Sequence, residues 1–267
     1  MIISHEHRYV FLQLPHCGST AIGQELCAYY GGVDILSKHS NYLEFLRIAS
    51  AEQKGYFAFS TVRHPLDEAV TRYFRYKTNH RQSFTNPTWL VENGGWVTAQ
   101  DLERYRWVQT ESVEFPTFAR RYYRLPYDNW SCLSHHQLDC VIRFESLAEG
   151  FAEALTRLGV KQRRALPVVN RTPEKEGDFF AMYPPEIRPW AVRIFAPYMH
   201  EWGYAFPPEW GATALTPSAR LEYQTLKLCR RMYWGRLSTS PRGWLHGASD
   251  RGKAVLRAVY LRTGRAD

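Results

Sequence analysis

Five consecutive residues, His16-Cys17-Gly18-Ser19-Thr20, have the make-up of an anion-binding turn. They follow an almost continuous apolar run, Tyr9 to Leu14, that Pro15 closes, and they precede a helical pattern that begins near Ala21. The apolar run predicts a buried strand. A tight turn between a strand and a helix N-terminus gathers backbone N–H groups that have no partner within the helix, and the helix dipole adds partial positive charge there. Phosphate suits such a turn. Gly18 lets the backbone approach an anion, and Ser19 and Thr20 can donate hydroxyl hydrogen bonds. The same residues also fit an ordinary strand-to-helix turn with a Ser or Thr cap.

A second segment points the same way. Tyr56 to Val62 is another buried-strand pattern, and it runs directly into Arg63. Thr71 lies eight residues further on, about two turns into the helix that follows. A guanidinium and a hydroxyl placed in this way could converge on a second phosphate. The turn at His16–Thr20 is not a Walker A loop, which needs a glycine, four residues and then Gly-Lys-Ser/Thr. It is shorter and has no lysine, and no Gly-x-Gly-x-x-Gly occurs in the chain.

Together, LPHCGST and VRHPLDEAVTRYF resemble the sulfotransferases that use 3′-phosphoadenosine 5′-phosphosulfate (PAPS), with the membrane-anchored carbohydrate sulfotransferases the nearest. In that family a Pro-Lys-x-Gly-Ser/Thr-Thr loop holds the 5′-phosphosulfate. A later strand ends in Arg-x-Pro, with a serine eight residues after the arginine, and holds the 3′-phosphate. The run from Val141 to Leu147 with its helix to Leu158, the segment Leu166 to Thr172, and Trp202-Gly203-Tyr204 are similar to later parts of the family, so the resemblance covers about Tyr9 to Phe206. There are departures. The loop lysine is His16, the residue after the arginine is His64 where Asp is frequent, and the serine is Thr71, which keeps the hydroxyl.

The resemblance implies a P-loop-like three-layer α/β fold and PAPS as co-substrate, with no metal. The backbone at Cys17, Gly18, Ser19 and Thr20 would hold the 5′-phosphate, and Arg63 and Thr71 the 3′-phosphate. Asn170 and Arg171 would touch the nucleotide or cap the cleft. His16, as imidazolium, would stabilise the departing bridging oxygen. Its ordinary pKa near 6.5 contrasts with the permanent charge of the family's lysine. His39 falls in the interval where some carbohydrate sulfotransferases carry a catalytic histidine, so it would take the acceptor proton; otherwise it merely precedes a helix cap at Ser40 or Asn41. Glu111 is the alternative base. The acceptor would be a hydroxyl or amine, most readily on a carbohydrate. A non-catalytic nucleotide- or partner-binding relative that lost activity with the loop lysine stays open. A P-loop kinase is disfavoured by the missing Walker lysine and Mg²⁺-binding aspartate.

The elements that must position these groups follow from the pattern. Strands over Tyr9–Leu14, Tyr56–Val62 and Leu138–Phe144 alternate with helices over Ala21–Tyr30, Tyr42–Ala51, Leu66–Tyr76 and Leu147–Leu158, which predicts a central parallel sheet flanked by helices. Ligands in such sheets bind at the carboxyl ends of the strands, where Pro15 and Arg63 lie. Residues 77–100 are polar and turn-rich and read as a substrate-facing loop, with Trp89 and Trp96 as acceptor contacts. Asp101 to Arg124 reads as two helical pieces broken near Pro116, from which Trp107, Gln109 and Glu111 could reach the site. The high aromatic content, 15%, suits a sugar-stacking cleft or simply an aromatic core.

The 267 residues read as one sulfotransferase domain over 1–210 with a basic helical extension over 211–267. Residues 1–210 hold 23 basic and 23 acidic side chains, and residues 211–267 hold 11 and 3, so the whole net charge of +8 lies in the extension. Its two amphipathic basic stretches, Ala219 to Leu237 and Lys253 to Leu261, either bind an anionic membrane surface or polysaccharide or pack on the domain with a solvated basic face. No nucleic-acid partner is expected. Five cysteines without a Cys-x-x-C and an isolated His135-His136 argue against a metal site. The absence of a signal-like or 18-residue apolar segment reads as cytoplasmic, with the extension as the route to a membrane surface.

Overall fold

The computed structural model describes residues 1–129, 132–169, 171–211 and 213–232. Along the chain it forms β1 (Ile2–Ser4), β2 (Tyr9–Leu12), α1 (Ser19–Tyr29), β3 (Val33–Asp34), α2 (Tyr42–Ile48), β4 (Phe57–Val62), α3 (Pro65–Lys77), α4 (Ala99–Thr110), α5 (Phe115–Tyr122), β5 (Cys140–Arg143), α6 (Leu147–Arg157), α7 (Arg188–Trp202) and α8 (Pro217–Met232). These elements divide into two compact units. One is built from Met1–His64 and Asp128–Arg171 with the chain from Thr225, and the other from Pro65–Tyr127 and Thr172–Gln224.

The first unit carries the sheet, in the order β3-β1-β2-β4-β5. β2, β4 and β5 are parallel, with Leu12 opposite Ser60 and Val62 opposite Arg143. β1 is antiparallel to β2 and β3 antiparallel to β1, so the sheet is mixed rather than purely parallel. The physical reason is the short connection His5–Arg8: four residues can close an antiparallel hairpin but not a parallel crossover. The apolar start Met1-Ile2-Ile3 ahead of a polar turn was the signal for this extra strand.

The almost unbroken apolar run of β2 reflects burial on both faces. Tyr9 and Phe11 pack with Phe59, Ile142, Ile22 and Leu26 of α1, and Phe151 and Leu155 of α6. Val10 and Leu12 pack on the opposite face with Ala58 and with Tyr42 and Phe45 of α2. Helices therefore cover both faces, and the fold of this unit is α/β with a five-stranded mixed sheet flanked by helices.

The second unit is organised around α3, eleven of whose thirteen residues are buried. Within it Arg72 Nη2 lies 2.6 Å from Glu68 Oε1, and Tyr122 and Tyr123 complete the hydrogen bonding at 3.2 and 3.3 Å. Much of the chain's aromatic content is core here. Tyr73, Tyr76, Phe84, Phe115 and Phe118 stack or meet edge to face. The two helical pieces after residue 98 part at residues 111–114, and Pro116 opens α5 instead of breaking a helix, because proline is tolerated in a first turn.

Of the basic extension, α8 lies among the described residues apart from its sequence-predicted end, and residues 233–267, with the second basic stretch, lie outside them. α8 buries Ala219, Tyr223 and Arg230 and exposes Leu221, Leu228 and Met232. Arg230 Nη1 pairs with the buried Asp128 carboxylate at 3.0 Å. Removing one member of a buried pair strands the other charge, so Arg230→Ala is expected to cost about 3 kcal/mol of stability, read as a lower denaturation midpoint at unchanged slope. No helix among the described residues is long and apolar enough to cross a membrane.

Candidate functional site

β2 brings the chain to the carboxyl edge of the parallel strands at Leu12, beside the ends of β4 and β5. The turn that follows is held from within: Ser19 Oγ donates to the Leu14 carbonyl at 2.7 Å. His16 and Gly18 both have left-handed backbones, φ 59 and 71, while Cys17 between them does not. Alternating hand turns successive N–H groups to one side, the geometry of an anion-binding nest. Gly18 is the N-cap of α1, and a β-carbon there would run into Leu147 of α6, so conformation and space both require glycine. The first turn of α1 holds no acidic residue to oppose an anion.

A positive φ is uncommon for a residue with a β-carbon, and His16 is tied in place. Arg63, the residue after β4, donates from Nη1 to the His16 carbonyl at 2.6 Å. Its guanidinium stacks over the Phe144 ring, 4.1 Å from the centroid, just past β5. Arg63 is only 7% exposed. The three parallel strand ends thus contribute the turn, the cation that braces it, and the ring that orients the cation. The next residue, His64, donates its backbone N–H to Glu145 at 2.7 Å.

His39 and Lys38 come from the connection between β3 and α2. The cap of α2 is Asn41, in a reciprocal box with Glu44, so His39 is not itself part of the cap. Its Nδ1 lies 2.7 Å from the Gln13 carbonyl at the start of the turn. A carbonyl only accepts, so Nδ1 carries the proton and Nε2 is left as a lone-pair acceptor. Burial pushes the pKa of His39 down to about 4; the bond to Gln13 opposes this and the Lys38 charge adds to it. Lys38 Nζ donates to Thr20 Oγ1 at 3.2 Å.

One unit therefore brings together His16, Cys17, Gly18, Ser19, Thr20, Arg63 and His39. Thr71 belongs to the other unit, on α3, where its Oγ1 is buried with no hydrogen-bond partner among the described residues. Arg171 is exposed, and Asn170 lies outside the described residues. In the second unit Glu111 accepts from Trp107 Nε1 at 2.8 Å, and Gln109 donates to the Tyr76 and Lys77 carbonyls. Trp96 packs on Phe84 and Arg75, and Trp89 is 40% exposed. The segment between α3 and α4 has left-handed backbones at Asn79, Arg81 and Gln82.

The buried imidazoles have a consequence for stability. Burial lowers the pKa of His80 to about 4 and that of His135 to about 3, alongside His39 at about 4. In each case the folded pKa lies below the unfolded value near 6.5, so the unfolded chain binds the proton first. Stability is complete above about pH 6.5 and is lost as the pH falls toward 4, by up to about 1.4 kcal/mol per pH unit for each group. Urea midpoints measured from pH 7.5 to 4.5 should decline through this window, and His39→Gln should flatten the decline.

No protein-family model, curated protein or solved structure matches the chain. Three contributors to the site were not visible in the sequence pattern. Phe144 under Arg63 and Glu145 on the His64 N–H depend on the register of β5 against β4, and Lys38 depends on where the β3–α2 connection folds back. The only signal for Lys38 was its adjacency to His39.

Proposed function

We propose that the chain is a transferase whose donor is an anionic nucleotide bound at the carboxyl edge of the sheet. More specifically, the reading best supported is a PAPS-dependent sulfotransferase with a hydroxyl acceptor, most readily on a carbohydrate, or an amine. The observation that carries it is the joint placement of a nest-like turn, a buried arginine bonded to that turn, and a histidine whose Nδ1–H is held by the same segment, which leaves Nε2 as a lone-pair acceptor.

In this reading the N–H groups at Cys17 to Thr20 take the 5′-phosphate end of the donor and Arg63 takes the 3′-phosphate. The acceptor oxygen attacks sulfur in line with the bridging oxygen. A new S–O bond forms, the bond from sulfur to the bridging oxygen breaks, and that electron pair leaves on the 5′-phosphate. His39 Nε2 takes the acceptor proton, and a protonated His16 stabilises the charge on the departing oxygen. Positioning and electrostatics supply the rate enhancement, because the chain is asked for little covalent chemistry.

One observation favours a non-catalytic nucleotide-binding reading: Ser19 Oγ and Arg63 Nη1 are both engaged in bracing the turn. Labelled PAPS offered with a panel of sugar and amine acceptors separates the two. Label transferred to an acceptor supports the enzyme; nucleotide bound without transfer to any acceptor supports the binding module.

A further inference from the structure

Resting on the sulfotransferase reading, we propose that Lys38 supplies the fixed positive charge that the phosphate turn lacks at His16, and that it contacts the 5′-phosphate end of the donor. The turn presents histidine where a permanent cation would be expected beside a departing phosphate oxygen. An imidazole ordinarily loses its proton near pH 6.5, whereas a lysine ammonium keeps it to about pH 10. The structure brings such an ammonium to the right place from a different segment. Lys38 Nζ lies 3.2 Å from Thr20 Oγ1, on the second residue of α1 and one turn from the left-handed pair His16 and Gly18.

Lys38 reaches Thr20 from an exposed backbone position, so the long side chain can move from the hydroxyl to an incoming phosphate oxygen. Arg63 on the His16 carbonyl and Ser19 on the Leu14 carbonyl fix the turn, while Lys38 and His39 reach the same segment at Thr20 and Gln13. The charged and titratable groups around Lys38 are His16, His39, Arg63, Asp34 on β3, and the Met1 ammonium, which donates to the Ser37 and Lys38 carbonyls at 3.0 Å. Lys38 and His39 are neighbours in the chain yet perform opposite tasks: one stays charged to bind phosphate, the other stays neutral to accept a proton. The charge of Lys38 helps to keep His39 neutral.

Calorimetric titration tests this with two probes, 3′-phosphoadenosine 5′-phosphate and adenosine 3′-phosphate, which differ only in the 5′-phosphate. Lys38→Met is expected to weaken the bisphosphate on the order of ten- to a hundredfold and leave adenosine 3′-phosphate unchanged. Lys38→Arg should restore most of the loss. From about pH 6 to 8 the parent, with its fixed ammonium, should hold the bisphosphate with little change, while Lys38→Met should lose affinity as a His16 imidazole near the ordinary pKa of about 6.5 gives up its proton, a response that a merely structural lysine would not produce. Equal affinity of Lys38→Met and the parent for the bisphosphate overturns the inference and leaves the sulfotransferase reading standing, as does an equal loss for both probes. A parent that binds neither nucleotide overturns that reading, and this inference with it.

Discussion

Replacing His39 by alanine is expected to lower sulfuryl-transfer turnover by about 10²–10⁴-fold while nucleotide affinity is retained. The expectation rests on the 2.7 Å contact between His39 Nδ1 and the Gln13 carbonyl, which fixes the tautomer and orients Nε2 as the acceptor. Because burial brings the pKa down to about 4, the imidazole is already the base form at neutral pH. The acid limb of kcat/KM for the parent should therefore fall near pH 4 and not near 6.5, since activity is lost only when the base becomes protonated. A base with so low a pKa has little driving force as a proton acceptor at the start of the step, so Nε2 takes the proton only as the new S–O bond forms and makes the acceptor hydroxyl strongly acidic. Retained turnover in the alanine variant moves the base elsewhere. Glu111, the alternative in the sequence, is engaged with Trp107. Loss of nucleotide binding would instead make His39 a brace for the turn.

Arg63→Ala is expected to weaken 3′-phosphoadenosine 5′-phosphate by about 1.5–3 kcal/mol, on the order of ten- to a hundredfold. Two effects add. The 3′-phosphate loses a charge-assisted donor, and the His16 carbonyl loses the hydrogen bond that holds a left-handed residue in place. A nucleotide without the 3′-phosphate, such as ADP, should lose only the second effect. Arg63→Lys should keep charge but lose the planar fork and its stacking on Phe144, and should lie between the two. Equal losses for both nucleotides would mean that Arg63 acts through the turn alone.

Local signals carried the parts of the site that depend on chain-neighbouring residues. The apolar run into Pro15, the small residues of the turn and the strand ending at Arg63 placed β2, α1, β4 and α3 within two residues of their observed limits. What the pattern left out was set by pairing at a distance. β1 turns the expected parallel sheet into a mixed one, and its three residues are too few for a period-2 pattern to stand out. Arg63 read as a cation reaching outward for phosphate; its bond to the His16 carbonyl became visible only once β2 and β4 lay side by side. Arg230 fell within a basic stretch read either as binding an anionic surface or as packed with a solvated basic face, and its burial against Asp128 followed from contacts more than a hundred residues apart in the chain.

The central claim is most directly tested by titrating the protein with 3′-phosphoadenosine 5′-phosphate and with ATP under the same conditions. A donor site built for the 3′-phosphorylated nucleotide should bind the bisphosphate at least about tenfold more tightly, the scale of one charge-assisted contact, and without a need for Mg²⁺. Equal or tighter binding of ATP, or no binding of the bisphosphate, would contradict the account.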